Sequence, residues 1–217
     1  MKILALDSSS PVSSVAFVVL GGHKPTVLFD RTAPHPRTDS SVLFSGLEQA
    51  VNSCGQPDVV AVGLGPGSYN GLRAGIAAAR AYATARNIFL YAFPSPLGLQ
   101  GPKPGFWAAG NARGGQYWVA CVEGSEHGLS LLEQPFLISP SLAAMHFQRR
   151  PSFPILSASP LDGIDDVVIA SPNAALLALQ VENRKSFLPC SPEPATPEPL
   201  YLKPPHITAQ RPVVSRL

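Results

Sequence analysis

The chain has 217 residues, 45% of them hydrophobic and 14% charged, with 24 prolines and a formal net charge of +2. That composition excludes a disordered polar chain and predicts a globular protein, either one large domain or two small lobes with a core each. So small a charge excess, with no Lys/Arg cluster, gives little grip on a phosphate backbone and argues against direct, tight nucleic-acid binding.

Lys2 to Leu6 reads as an apolar strand that ends at Asp7, with Ser8-Ser9-Ser10-Pro11 turning the chain. Val12 to Leu20 is a second strand, Gly21-Gly22 a turn, and Thr26 to Arg31 a third strand, together an antiparallel meander. Thr38 or Asp39 then caps a helix whose Leu43, Leu47, Val51 and Cys54 recur at helical spacing and which stops at Gly55. Val59 to Leu64 is a short buried strand, and an Ala-rich helix runs to Arg86, followed by a strand from Ile88 to Ala92. This order, β-β-β-α-β-α-β, is that of a ribonuclease-H-like lobe, the repeating unit of the actin-like ATPase and sugar-kinase (ASKHA) superfold. The Pro/Gly connector Pro94 to Pro104 marks the lobe boundary, with residues 1–98 before it and 99–217 after. A reduced second lobe follows. Phe106 to Ala109, Gln116 to Glu123, Leu131 to Ile138 and Ile155 to Ala158 read as strands. Ser141 to Arg149 and Pro172 to Glu182 read as helices, the latter with Ser171 as cap. Leu188 to Pro205 is crowded with proline and predicts irregular or polyproline-like backbone, and the tail from His206 to Leu217 is expected to be mobile.

Between the fourth strand and the second helix lies Gly65-Pro66-Gly67-Ser68-Tyr69-Asn70-Gly71. It fits no P-loop, since it has no Lys, and no G-x-G-x-x-G fingerprint, since Asn70 stands at the third glycine. Nor is it a nucleophile elbow around Ser68, where Pro66 and Asn70 replace the flanking glycines. Ser68 or Asn70 caps the helix that follows. Along that helix Gly71, Gly75, Ala79 and Ala83 fall four apart and share one side. A side without bulk invites close packing, either on the domain's own sheet or on a partner helix.

Chemistry-bearing residues are sparse. Asp7-Ser8-Ser9 occupies the place where the first lobe of an actin-like fold holds nucleotide phosphate, but without the usual glycine. Asn111 stands where the second lobe would want Asp, and an amide is a poor base. His23, His35, His127, His146 and His206 include no pair four apart, so no helical metal site is expected. Cys54, Cys121 and Cys190 are scattered and fit a reducing cytosol. No apolar run reaches the ~20 residues needed to span a bilayer, and no signal peptide fits at Met1-Lys2, so a cytoplasmic protein is expected.

GLGPGSYNGLRAG resembles the G-x-GPGS-[FY]-T-G-[LV]-R-[IA]-G signature of the TsaB (YeaZ) proteins. These are bacterial subunits of the machinery that makes threonylcarbamoyladenosine in tRNA. MKILALDSSSPVSSVAF is similar to the family's opening, NARGGQYWVACV to its D-A-R-x-G-[EQ]-V-[YF] hairpin, and PLYLKP to its P-x-Y-[LV]-[RK] ending. Three positions depart from the pattern: Arg37-Thr38-Asp39 stands for His-Ser/Thr-Gln/Glu, Asn70 for Thr, and Asn111 for Asp.

The resemblance implies a non-catalytic subunit that activates a TsaD-like threonylcarbamoyltransferase, joined by a TsaE-like ATPase. Such a chain is a homodimer when alone and meets tRNA only through the complex. It implies no cofactor, catalytic residue or metal, and leaves Asp7, Ser8, Ser9 and Asn111 as a vestigial nucleotide site. Carried over onto the first two helices, it places the partner contact at Leu43, Leu47, Asn70, Gly71, Leu72, Gly75, Ile76, Ala79 and Ala83. The signature loop comprises Gly65, Pro66, Gly67, Ser68, Tyr69 and Arg73. The competing readings are an ATP-dependent small-molecule kinase of the same superfold and, third, a peptidase.

Overall fold

The computed structural model describes residues 1–34, 40–112, 114–125, 128–182 and 197–203. Strands β1 (Lys2–Asp7), β2 (Val12–Val19) and β3 (Thr26–Pro34) form the expected meander. Strand β4 (Val59–Gly63) then pairs parallel with β1, and β5 (Phe89–Phe93) parallel with β4, giving the order β3-β2-β1-β4-β5. Parallel neighbours need a crossover, and α1 (Ser41–Cys54) and α2 (Tyr69–Arg86) supply them. Ile3 to Leu6 of β1 and the whole of β4 are apolar because they are covered on both faces.

A second sheet repeats the plan. β6 (Gly105–Asn111), β7 (Tyr117–Ser125) and β8 (Gly128–Ile138) are antiparallel, and β9 (Ile155–Ser157) and β10 (Val167–Ile169) add on in parallel. The order β8-β7-β6-β9-β10 is that of the first sheet, strand for strand. Two ribonuclease-H-like lobes are therefore present, and the second is the smaller in its later elements. β9 and β10 have three residues each, α3 (Pro140–Phe147) eight and α4 (Ala174–Leu179) six.

Side chains alternate across the first sheet. Leu4, Leu6, Val15, Phe17, Val60 and Val62 face α1 and α2. Ile3, Ala5, Ala16, Val18 and Ala61 face the other way and share one core with Phe106, Ala108, Ala120, Val122 and Leu156 of the second sheet. α4 lies in this shared layer, against β1, β2 and β4. A third cluster, around Trp107, Val119 and Cys121, packs on Phe147 of α3. Burial pushes the Cys121 thiol up to about 11; Cys54 is half-buried and Cys190 lies outside the described residues.

Four local expectations are corrected. The connector after β5 contains a single 3-10 turn, Ser95–Gly98, and its first half, Pro94 to Leu99, is buried because it lies between the sheets, with Leu97 and Leu99 in the shared core. β10 was not anticipated, since three β-branched residues are too short a run to stand out. α4 begins later than expected and is capped by Asn173, not Ser171; the Asn173 side chain accepts from the Ala175 N–H at 2.7 Å. Ser40 precedes α1 as its N-cap residue, without a side-chain cap bond. Thr38, Asp39, Arg37, His35, His127, His206, the stretch 188–196 and the tail lie outside the described residues.

Candidate functional site

Parallel pairing brings the C-terminal ends of β1, β4 and β5 to one edge of the first sheet. Asp7 ends β1, the loop from Leu64 to Ser68 leaves β4, and Ser95 follows β5. Asp7 is completely buried. Its Oδ1 accepts from the Ser9 N–H at 2.9 Å and from Ser9 Oγ at 2.7 Å, and its Oδ2 accepts from Ser95 Oγ at 2.6 Å. Burial holds its carboxyl above the usual value, against the opposing pull of the Ser95 and Ser9 donors.

Ser95 also ties down the loop. Its Oγ accepts from the Gly65 N–H at 2.9 Å, and its own N–H donates to the Gly65 carbonyl at 2.8 Å. Nothing in the sequence singled out Ser95, which sits in a connector read as a boundary. The signal was topological: the residue after β5 lands beside the residue that ends β1.

The loop lies directly on the Asp7–Pro11 turn. The Ser68 N–H donates to the Ser9 carbonyl at 2.7 Å, and a Cβ on Gly67 would overlap that same carbonyl. Ser8 Oγ donates to the Gly71 carbonyl at 2.7 Å. Gly63 is against the Asp7 carboxylate, Gly71 against the Ser8 carbonyl and Gly75 against Ser8 Oγ, each too close to admit a side chain. Ser68 is the cap of α2, accepting from the Gly71 N–H at 3.3 Å. The Asp7–Pro11 turn is thus covered by the chain's own loop.

This geometry corrects the partner reading of the small ridge. Gly71, Gly75, Ala79 and Ala83 are all buried, the first two against Ser8 and the last two against the sheet. Leu43, Leu72 and Ile76 are buried as well, Leu47 is half-buried against the same core, and Asn70 alone of the nine residues is exposed. The ridge lacks bulk so that α2 can seat on its own turn. A Gly75→Leu change would strike the fold before it reached any partner. The solvent side of the two helices carries instead Phe44, half exposed on α1, and Arg73, Ala77 and Arg80 on α2.

Tyr69 opens α2 and is 36% exposed. Arg73, one turn on, lies over its ring at 5.3 Å and donates from Nη1 to its hydroxyl at 2.7 Å. The ring of Tyr201 stacks on Tyr69 with centroids 5.1 Å apart and planes 26° from parallel. Residues 199–203 of the PLYLKP stretch therefore come to rest on the signature loop. Asn111 is exposed at the end of β6 in the second lobe, and Arg113 of its turn lies outside the described residues. Among the described residues no group of His, Cys, Asp and Glu gathers as a metal site. A cavity of about 240 Å³, lined by Leu99, Lys103, Leu129, Leu176 and Leu179, contains none of these site residues.

Residues 32–98 match the family model described as TsaD: tRNA N6-adenosine threonylcarbamoyltransferase. Uncharacterized proteins of Mycobacterium bovis and Mycobacterium tuberculosis are 37% identical over 94 residues, which is 41% of this chain. The match spans only 43% of the length of these relatives.

Two solved structures from Pseudomonas aeruginosa share the fold. A protein with similarity to peptidase YEAZ superposes with a TM-score of 0.69 at 20% identity, over 93% of this chain and 99% of its own. YeaZ itself superposes with a TM-score of 0.67 at 18% identity, over 86% and 94%. The fold that the resemblance to the TsaB (YeaZ) proteins implies is borne out by these two structures.

Proposed function

We propose that this chain acts in tRNA modification as a TsaB-like, non-catalytic subunit that pairs with a TsaD-like threonylcarbamoyltransferase in the cytoplasm and activates it. The observation that carries this reading is the filled hairpin. Asp7 has no exposed surface, its oxygens are engaged by Ser9 and Ser95, and the loop backbone occupies the approach to it. With both carboxylate oxygens spent on hydroxyl and amide donors of its own chain, Asp7 serves in this reading as an anchor for the loop, and the lobe offers surface in place of chemistry.

The surface is the outer side of α1 and α2. α2 carries Arg73 and Arg80 two turns apart on that side and no acid, and α1 adds the half-exposed Phe44. An apolar anchor beside a cationic stripe fits a partner helix pair with an acidic margin. A TsaE-like ATPase would join the pair, tRNA would be met through the complex, and the same surface would self-associate into a two-fold dimer when the partner is missing.

Co-purification with the TsaD-like protein of the same organism tests the proposal. Phe44→Ala and Arg80→Glu should each weaken association at least tenfold while leaving the melting temperature within a degree or two. Full association by both variants would remove this surface from the reading. Micromolar Mg-ATP binding by calorimetry, lost in Asp7→Ala, would replace the subunit with the kinase.

A further inference from the structure

The stretch from Pro197 to Lys203 makes a series of contacts that neither the hairpin nor the helix surface requires. Pro197 is buried. The Leu200 N–H donates to the Leu64 carbonyl at 2.8 Å, at the point where β4 gives way to the loop. Tyr201 stacks on Tyr69, which Arg73 holds from its other end. Lys203 Nζ comes to 3.4 Å from where a Cβ on Gly114 would stand, which places it at the β6–β7 turn of the second lobe. Seven residues thus touch both ends of the signature loop and the opposite lobe.

We propose that residues 197–203 are a clasp that holds the signature loop shut over the Asp7–Pro11 turn, with Tyr201 as its positioning residue. Leu64 and Tyr69 bracket the loop, and the clasp grips both. Between them the loop is held to the turn by the Ser68–Ser9 bond, and to the post-β5 segment by the Gly65–Ser95 pair. Releasing Tyr201 frees Tyr69 and with it the first turn of α2. The turn that the loop covers then becomes accessible, so the clasp sets how often the filled hairpin opens. Tyr69 and Tyr201 keep 36% and 42% of their surface exposed, so the pair can part without disturbing the core. This inference concerns the isolated chain and stands apart from the choice of partner.

Amide hydrogen exchange on the full chain tests it. Tyr201→Ala should speed exchange at least tenfold in peptides covering residues 64–71 while leaving those of α1 and β2 unchanged. Tyr201→Phe keeps the stacked ring and should accelerate exchange far less than Tyr201→Ala does. Leu200→Pro deletes the N–H given to Leu64 and nothing from the core, and should show the same local acceleration. That variant decides the matter if Tyr201→Ala does not fold. Unchanged exchange at 64–71 in Leu200→Pro and in any folded Tyr201→Ala would overturn the clasp. So would acceleration spread evenly over the whole first lobe, since that would mean Tyr201 only adds stability.

Discussion

Asp7 is the residue on which the first lobe's chemistry turns, and its burial has a measurable signature. Its pKa stands above 3.8 in the folded chain because desolvation of the charged form outweighs the donors around it. As pH rises through the unfolded value the unfolded chain gives up this proton first, while the folded chain keeps it. The stability Asp7 contributes is thus complete below that value and is lost as pH climbs through the folded pKa. Asp7→Asn has no such proton. In melting curves from pH 4 upward, the parent protein should lose ground steadily relative to the variant; a constant difference would show that burial is not what governs the group.

Ser95 is tested more directly. Ser95→Ala removes a donor from Asp7 and orphans the Gly65 N–H, two buried losses that together should cost about 2–4 kcal/mol in urea denaturation at neutral pH. A loss under about 0.5 kcal/mol, within the range of an ordinary surface change, would mean the network is not holding the loop.

At the scale of elements, α2 shows how a sequence pattern can be read correctly in geometry and wrongly in destination. Four small residues at a spacing of four did mark a close approach. The approaching backbone is Ser8 of the same lobe, because the parallel β1–β4 pairing delivers the Asp7–Pro11 turn to the first turns of α2. The collision at Gly75 involves one atom, Ser8 Oγ. Gly75→Ala should cost about 1–2 kcal/mol, overpacking outweighing the gain of about 1 kcal/mol in helix propensity. Ser8→Ala alone should cost about 1 kcal/mol for its bond to the Gly71 carbonyl. The double variant should then cost less than the sum by at least roughly 0.5 kcal/mol, since the colliding atom is gone. Strict additivity would show that Ser8 is not what Gly75 accommodates.

For the whole molecule, three of the four stretches that carry the family resemblance prove to be spatial neighbours. The opening Asp7-Ser8-Ser9, the glycine loop and residues 199–203 meet at one edge of the first sheet, and Lys203 reaches to Gly114 of the second lobe. The two sheets share a core through α4 and the 3-10 turn after β5, so the lobes do not possess separate interiors on their facing sides. No described helix is long and apolar enough to cross a membrane. Association through α1 and α2 would leave this shared core untouched, which is why the Phe44 and Arg80 variants are expected to separate binding from folding.

The succession of strands and helices and the two-lobed plan were legible in the chain itself, because alternation, helical spacing and the Gly/Pro breaks are local signals that survive without tertiary context. β10 and the buried 3-10 turn were not, being too short to show a period. Which way the small face of α2 points, and that Ser95 completes the Asp7 network, depended on strand pairing across more than fifty residues. Spacing tells that a backbone comes close; only the assembled sheet decides whose backbone it is.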